Sequence, residues 1–333
     1  MSIRVNQRWF VWLVLGLCII AIPVGFLGTQ IAKHLEKTDG TGDSIMTRFT
    51  DHIQVIRLTG MIADKEDRNF FSPEDSTDNV LKQFRKAIKN DHVKGILLRI
   101  NSPGGTVSAS QEITGVLKSF RKTGRPVVVS MGDLTASGGY YVASASDRIL
   151  AEPGTLTGSI GVIMHLMNLK GLGDKLGVQS EVIKTGLYKD IASSYRPITP
   201  EERSILQTLC NDSYDQFVNA VAEGRKMNVA EVRQIGDGRV YSGRQALKLH
   251  LVDQLGGYDD ALDVLQKMCK DQLHLTENLP VEDKSSDSWL AAFMESATGV
   301  PALHLRREGG LVGELLPESM NPRFIDVPLF MMR

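Results

Sequence analysis

The segment DLTASGGYYVASAS (133–146) sets Ser137 after a strand-like run and its turn, immediately before a Gly-Gly pair that opens a helix. A hydroxyl presented there, at a helix N-terminus beside the Gly138 amide, has the geometry of a nucleophile elbow, although the GxSxG pattern is absent. A serine serving as a plain helix N-cap would occupy the same place. A second segment, INSPGGT (100–106), follows an apolar run and leads into another helix. Pro103 fixes a turn, and Gly104 and Gly105 allow a close backbone approach that could aim N–H groups at an oxyanion. An ordinary strand-to-helix turn uses the same residue types. A phosphate loop fits poorly, because GxxxxGK[ST] does not occur.

A serine nucleophile needs a base. The seven histidines are His34, His52, His92, His165, His250, His274 and His304. None stands in a triad signature, and His165, near the glycine-rich region, has no orienting carboxylate pattern beside it. A lysine can replace histidine where burial or a neighbouring dipole lowers its pKa enough to leave it neutral. The third segment, IKTGLYKDIASSYRPITPEE (183–202), offers Lys184 and Lys189, the latter following Gly186 at the end of a strand-like EVIKT run. By residue type alone both read as surface lysines.

These segments need a scaffold, and the chain between them supplies one. IQVIRLTGMI (53–62) is a β-branched run, and TDNVLKQFRKAIKN (77–90) sets Val80, Leu81, Phe84, Ala87 and Ile88 on one helical face behind a Thr77 or Asp78 cap. VKGILLRI (93–100) is almost wholly apolar, as a strand covered on both faces should be. A helix over 108–121, a strand at 126–131, a small-residue helix from Gly138 and a strand at 148–151 follow, then a glycine-punctuated segment to Met164. The alternation predicts α/β architecture with a mostly parallel sheet. Residues 199–226 read as one long amphipathic helix capped at Thr199 with Pro200 at its first position, and shorter helices are expected near 243–250 and 257–270.

The whole chain has 333 residues, 42 % apolar and 23 % charged, which excludes collagen-like, disulfide-scaffold and wholly disordered classes. Lys and Arg number 38 against 39 Asp and Glu, leaving no global positive field for nucleic acid. Cys18, Cys210 and Cys269 form no CxxC and have no nearby His pair, so neither a metal site nor a disulfide framework follows, and no cofactor is implied.

Residues 9–32 carry no charged side chain, and a bilayer core asks for about 20 such residues as a helix. The run is longer than the apolar part of a cleaved signal peptide and no clean Ala-x-Ala follows it, so a retained anchor is expected. Arg4 and Arg8 precede it, while Lys33 and Lys37 are diluted by Glu36, Asp39 and Asp43, which favours a cytoplasmic N-terminus and an extracytoplasmic body. The expected organisation is a cytoplasmic segment 1–8, anchor 9–32, linker 33–50, catalytic body 51–272 and tail 273–333. The tail, with a short apolar piece SWLAAFM (288–294), reads as weakly ordered with docking segments.

Taken jointly, INSPGG, TASGGYYVASA, TGSIGV and KTGLYKD behind one N-terminal membrane segment resemble the signal peptide peptidase A family of membrane-bound serine–lysine peptidases, over about residues 50–270. The 52-residue spacing from Ser137 to Lys189 resembles its short, single-repeat members. The resemblance implies Ser137 as nucleophile, Lys189 as general base, Ser159 as the residue orienting the lysine, and Gly104 with Gly138 as oxyanion-hole amides. It implies a crotonase- or Clp-protease-like α/β spiral, a ring- or bowl-shaped homo-oligomer at the membrane, and apolar peptides such as cleaved signal peptides as substrates. Whether Ser137 and Lys189 of one site come from one chain or two stays open. An inert membrane scaffold of the same fold and a crotonase-type acyl-CoA enzyme are the competing functions.

Overall fold

The computed structural model describes residues 50–64, 77–283 and 329–331. The apolar run 9–32 lies outside the described residues. Among the residues described, no helix is long and apolar enough to cross a membrane.

Strand β1 (His52–Thr59) and strand β2 (Val93–Ser102) pair in parallel, with Ile56 opposite Leu98. Strand β4 (Val127–Ala136) lies on the far side of β2. These runs are apolar on both faces, and helices cover both sides, as a parallel sheet requires. Two short strands share β4: β5 (Arg148–Ala151) along its first part and β6 (Leu156–Gly158) along its last residues. β7 (Val240–Ser242) joins β6 antiparallel, while β8 (Gln254–Leu255) joins β5 and β9 (Val281–Asp283) joins β1 in parallel. The sheet is therefore mixed, and the remaining pairing is parallel as expected.

The helices α1 (Thr77–Lys89), α2 (Val107–Arg121) and α3 (Gly138–Ser144) pack on one face with the C-terminal part of α5 (Pro200–Arg225). Val80, Leu81, Phe84 and Ala87 of α1 are buried, the stripe that helical spacing predicts. On the other face, Ala261, Leu265 and Cys269 of α8 (Tyr258–Leu273) close over Ile53, Val55, Leu97, Val128 and Leu150. Helix α5 starts at the expected place, because Thr199 and Glu202 form a capping box and Pro200 stands in the first turn.

Four local features depart from the pattern reading. β4 runs on to Ala136 rather than stopping at Met131, which carries the chain directly to Ser137. The EVIKT run is no strand: Val182 and Ile183 are exposed, Ile183 at 97 %, and no neighbouring strand pairs with them. Helices α4 (Lys170–Leu176) and α6 (Val229–Ile235) are seven residues each, too short to show a clear periodicity. Beyond residue 272 the described residues supply two strands, β9 and β10 (Leu329–Met331), the second pairing antiparallel with β3 (Gly104–Thr106). Helix α7 (Gly243–Lys248) completes the described elements.

Candidate active site

The end of β4 is locked by buried hydroxyls. Thr135 Oγ1 donates to the Ile100 carbonyl at 2.8 Å, Thr157 Oγ1 to the Thr135 carbonyl at 2.6 Å, and Thr155 Oγ1 to the Gly132 carbonyl at 2.8 Å. Each adds a buried side-chain hydrogen bond to the end of the strand. The backbone then turns sharply, and Ser137 takes φ 53° and ψ −118°. A non-glycine residue in that region stores about 1–3 kcal/mol, held only where the surroundings over-determine it, and such positions cluster at functional sites. Ser137 stands at the N-cap position of α3, yet its side chain makes no cap hydrogen bond. Its Oγ is buried with no hydrogen-bond partner among the described residues, so the capping account of this serine fails.

Ser137 N–H donates to the Gly158 carbonyl at 2.9 Å, which brings the next residue, Ser159, to the same corner. Ser159 is also left-handed, with φ 49°, and its N–H donates to the Arg239 carbonyl at 2.9 Å. Gly138 opens α3, where first-turn N–H groups lack intrahelical acceptors.

Gly104 sits at φ 107°, a conformation that favours glycine. On one edge of β3, Ile62 N–H donates to the Gly104 carbonyl and Thr106 N–H to the Ile62 carbonyl, both at 2.8 Å. On the other edge lies β10, with Phe330 opposite Gly105 and Met331 opposite Gly104. The Gly104 N–H itself donates to Ser102 Oγ at 3.1 Å, a partner the sequence reading does not single out. Gly139 brings α3 onto this loop, since a Cβ there would lie 3.1 Å from the Ser102 carbonyl oxygen.

Lys189 lies on a turn, its N–H donating to the Gly186 carbonyl at 3.4 Å, and its side chain is exposed. It makes no hydrogen bond to Ser137 Oγ. Lys184, the other candidate, is occupied: its Nζ donates to the Leu187 carbonyl at 3.0 Å and pairs with Asp190. The fold thus gathers Ser137, Ser159, Gly104 and Gly138 in one region and leaves Lys189 outside hydrogen-bonding reach of the serine. His165 lines a cavity of about 700 Å³ with Arg196, Arg203 and Cys210, and neither Ser137 nor Ser159 lines it. Among the described residues no His, Cys, Asp or Glu group is arranged to hold a metal.

Residues 119–272 match the model of Peptidase family S49, and residues 68–152, which include Ser137, match that of Clp protease. The chain is 35 % identical over 318 residues to an Enterococcus faecium protein named for signal peptide peptidase SppA, covering 89 % of this chain and 91 % of that one. The chain belongs to the signal peptide peptidase A family. Two longer family members agree. The Arabidopsis thaliana protein named serine protease SPPA, chloroplastic, is 31 % identical over 309 residues, 89 % of this chain and 45 % of its own length. Protease 4 of Salmonella typhi is 37 % identical over 224 residues, 67 % of this chain and 36 % of its own. As a member of signal peptide peptidase A, the chain is a serine peptidase of family S49 with a mixed α/β, Clp-protease-like body.

Proposed function

We propose that this peptidase degrades cleaved signal peptides and other apolar peptides at the membrane, with Ser137 as nucleophile and Lys189 of a neighbouring chain as general base. The single observation that carries the reading is the buried, strained Ser137, whose Oγ has no partner among the described residues. A group that costly to leave unpaired points to a partner supplied from elsewhere. Lys189 supports the same arrangement from the other side, because Ile183, Leu187 and Tyr188 beside it are exposed and apolar, as a surface that packs on another copy would be. A ring- or bowl-shaped homo-oligomer closes such head-to-tail contacts.

In the proposed reaction, neutral Lys189 takes the Ser137 proton as Oγ adds to the peptide carbonyl carbon. The oxyanion accepts from the Gly138 N–H, joined by the Gly104 N–H once that amide leaves Ser102 Oγ. The Lys189 ammonium, oriented by Ser159, protonates the departing amine as the C–N bond breaks, leaving an ester on Ser137. Water, deprotonated by Lys189, adds to the ester carbonyl; the C–Oγ bond then breaks, the ammonium returns its proton to Ser137 Oγ, and the acid leaves with Lys189 neutral again. The edge of β3 supports a peptide substrate, since it already pairs with an extended segment. The uncharged run 9–32, taken as a single membrane span with a cytoplasmic N-terminus, would hold the body on the extracytoplasmic side of the cell membrane, where apolar remnants reside.

The test mixes two dead variants. Ser137→Ala and Lys189→Ala are each expected to hydrolyse no fluorogenic apolar peptide in detergent, and co-assembled oligomers of the two should recover activity. Recovery requires one intact Ser137 and one intact Lys189 to meet across an interface. No recovery in verified mixed oligomers would place both groups of a site on one chain, and full activity in either single variant would remove the dyad.

A further inference from the structure

The turn that carries Lys189 is held by a guanidinium whose side chain reaches two carboxylates. Arg196 Nε donates to Asp190 Oδ2 at 2.9 Å and its Nη2 to the Asp190 main-chain carbonyl at 3.1 Å. The same guanidinium donates through Nη1 to Glu202 Oε2 at 2.8 Å and through Nη2 to Glu202 Oε1. Glu202 is itself anchored: its side chain is 3 % exposed, and Oε2 also accepts the Thr199 N–H at 3.0 Å within the α5 capping box. On the opposite side, Lys184 Nζ binds Asp190 and the Leu187 carbonyl. The residue between these anchors, Lys189, makes no side-chain hydrogen bond or ion pair among the described residues.

We infer that Arg196 is a positioning residue for Lys189: it ties Asp190, the lysine's neighbour in sequence, to Glu202 at the start of α5, so that the lysine leaves the body from a fixed point. The inference rests on Lys189 being the base and deepens that reading. Isolated surface ion pairs contribute little, but a planar fork engaged by two carboxylates and a carbonyl, one carboxylate buried, fixes geometry as well as charge. The hydrogen bonds of Arg196 hold the Asp190 carboxyl far below the usual range and that of Glu202 down to about 2, so the clamp keeps its charges at any working pH. Arg203 and His165 line the same cavity as Arg196 without hydrogen bonds to it.

The experiment compares Arg196→Met, Arg196→Lys and Asp190→Asn in the full-length oligomer, reading kcat and KM separately on one apolar peptide. Arg196→Met should lower kcat by about tenfold or more with KM within about twofold, because a displaced base slows chemistry rather than binding. Arg196→Lys should stay slow with KM likewise unmoved, because one ammonium cannot span both carboxylates. Asp190→Asn should lower kcat in the same way, since the amide keeps its place but loses the charge that holds the guanidinium. Wild-type kcat in the Arg196 variants, or a KM that rises as kcat falls, overturns the inference. If Arg196→Met does not assemble, Asp190→Asn decides, a lowered kcat with KM unmoved supporting the inference and a wild-type kcat overturning it. Full activity in Lys189→Ala would instead remove the underlying dyad.

Discussion

Ser137 and Ser159 follow the ends of two neighbouring parallel strands, each with a left-handed backbone. Thr135 lies opposite Thr157 and Ala136 opposite Gly158, so the tripeptides Thr135–Ala136–Ser137 and Thr157–Gly158–Ser159 run side by side and both have a left-handed serine, the second turning left-handed already at Gly158. One hydroxyl, Thr157 Oγ1 on the Thr135 carbonyl, stitches the pair together. Thr157→Val keeps the volume and removes that hydrogen bond, at a cost of about 0.5–1.5 kcal/mol. Urea unfolding should report that loss, and kcat should fall with it. A variant of unchanged stability and rate would mean the two serine corners are set independently.

Gly105 admits no side chain. A Cβ there would sit 1.8 Å from the Ile62 carbonyl oxygen, so Gly105→Ala must push β3 off Ile62 and disturb Gly104 next to it. We expect a destabilisation of about 1–3 kcal/mol and loss of peptide hydrolysis. Gly115, on α2 with nothing within 4 Å of its virtual Cβ, is the matched control. Gly115→Ala should raise stability by about 0.4–1 kcal/mol and leave hydrolysis alone.

The two described cysteines should react unequally. Cys269 lies on the buried face of α8, its Sγ 2.9 Å from where a Gly95 Cβ would stand, and burial pushes its thiol up to about 12. Cys210 is half-buried, with a smaller upward shift from the same cause. Thiolate is the reacting species. Iodoacetamide at neutral pH, followed by mass spectrometry, should therefore modify Cys210 well before Cys269 in the native protein, and both on unfolding. Equal native labelling would show that α8 opens readily.

The edge strand β9 should loosen as pH rises. Burial disfavours a charged His52, but its Nε2 lies 3.1 Å from Glu282 Oε2 and its Nδ1 bonds the Thr50 carbonyl at 2.8 Å, so its net pKa is raised. A raised pKa in the folded state means the pairing contributes fully below the unfolded value, about 6.5, and is lost as pH climbs through the folded value. Asp51, His92 and Lys94 form their own cluster alongside. Amide exchange at Ile53, whose N–H donates to the Pro280 carbonyl, should lose protection between mildly acidic and mildly alkaline buffer after correction for intrinsic rates. Constant protection would exclude the His52–Glu282 pair as the latch.

What the sequence made legible follows from how each element earns its stability. Strands such as Val93–Ser102 and helices such as Thr77–Lys89 bury a regular pattern, and the pattern is visible in one dimension. EVIKT misleads because β-branched residues favour strand only where a neighbour pairs with them, and Val182 and Ile183 have none. The Ser137 corner shows itself through glycines, but the Ser102 hydroxyl on the Gly104 amide and the Arg196 clamp depend on residues brought together by the fold, and no local spacing announces them. Lys189 is the extreme case, since its proposed partner lies on another molecule.

The pairing of Leu329–Met331 with Gly104–Thr106 has a consequence for any measured affinity. An occupant joined to the same chain is never diluted away, and tethering typically gives an effective concentration in the millimolar range. A peptide in the place proposed for it along β3 would compete with that occupant, so the intact chain should then show a higher KM than its grip on substrate warrants, and ending the chain before Leu329 should lower KM while kcat stays in place.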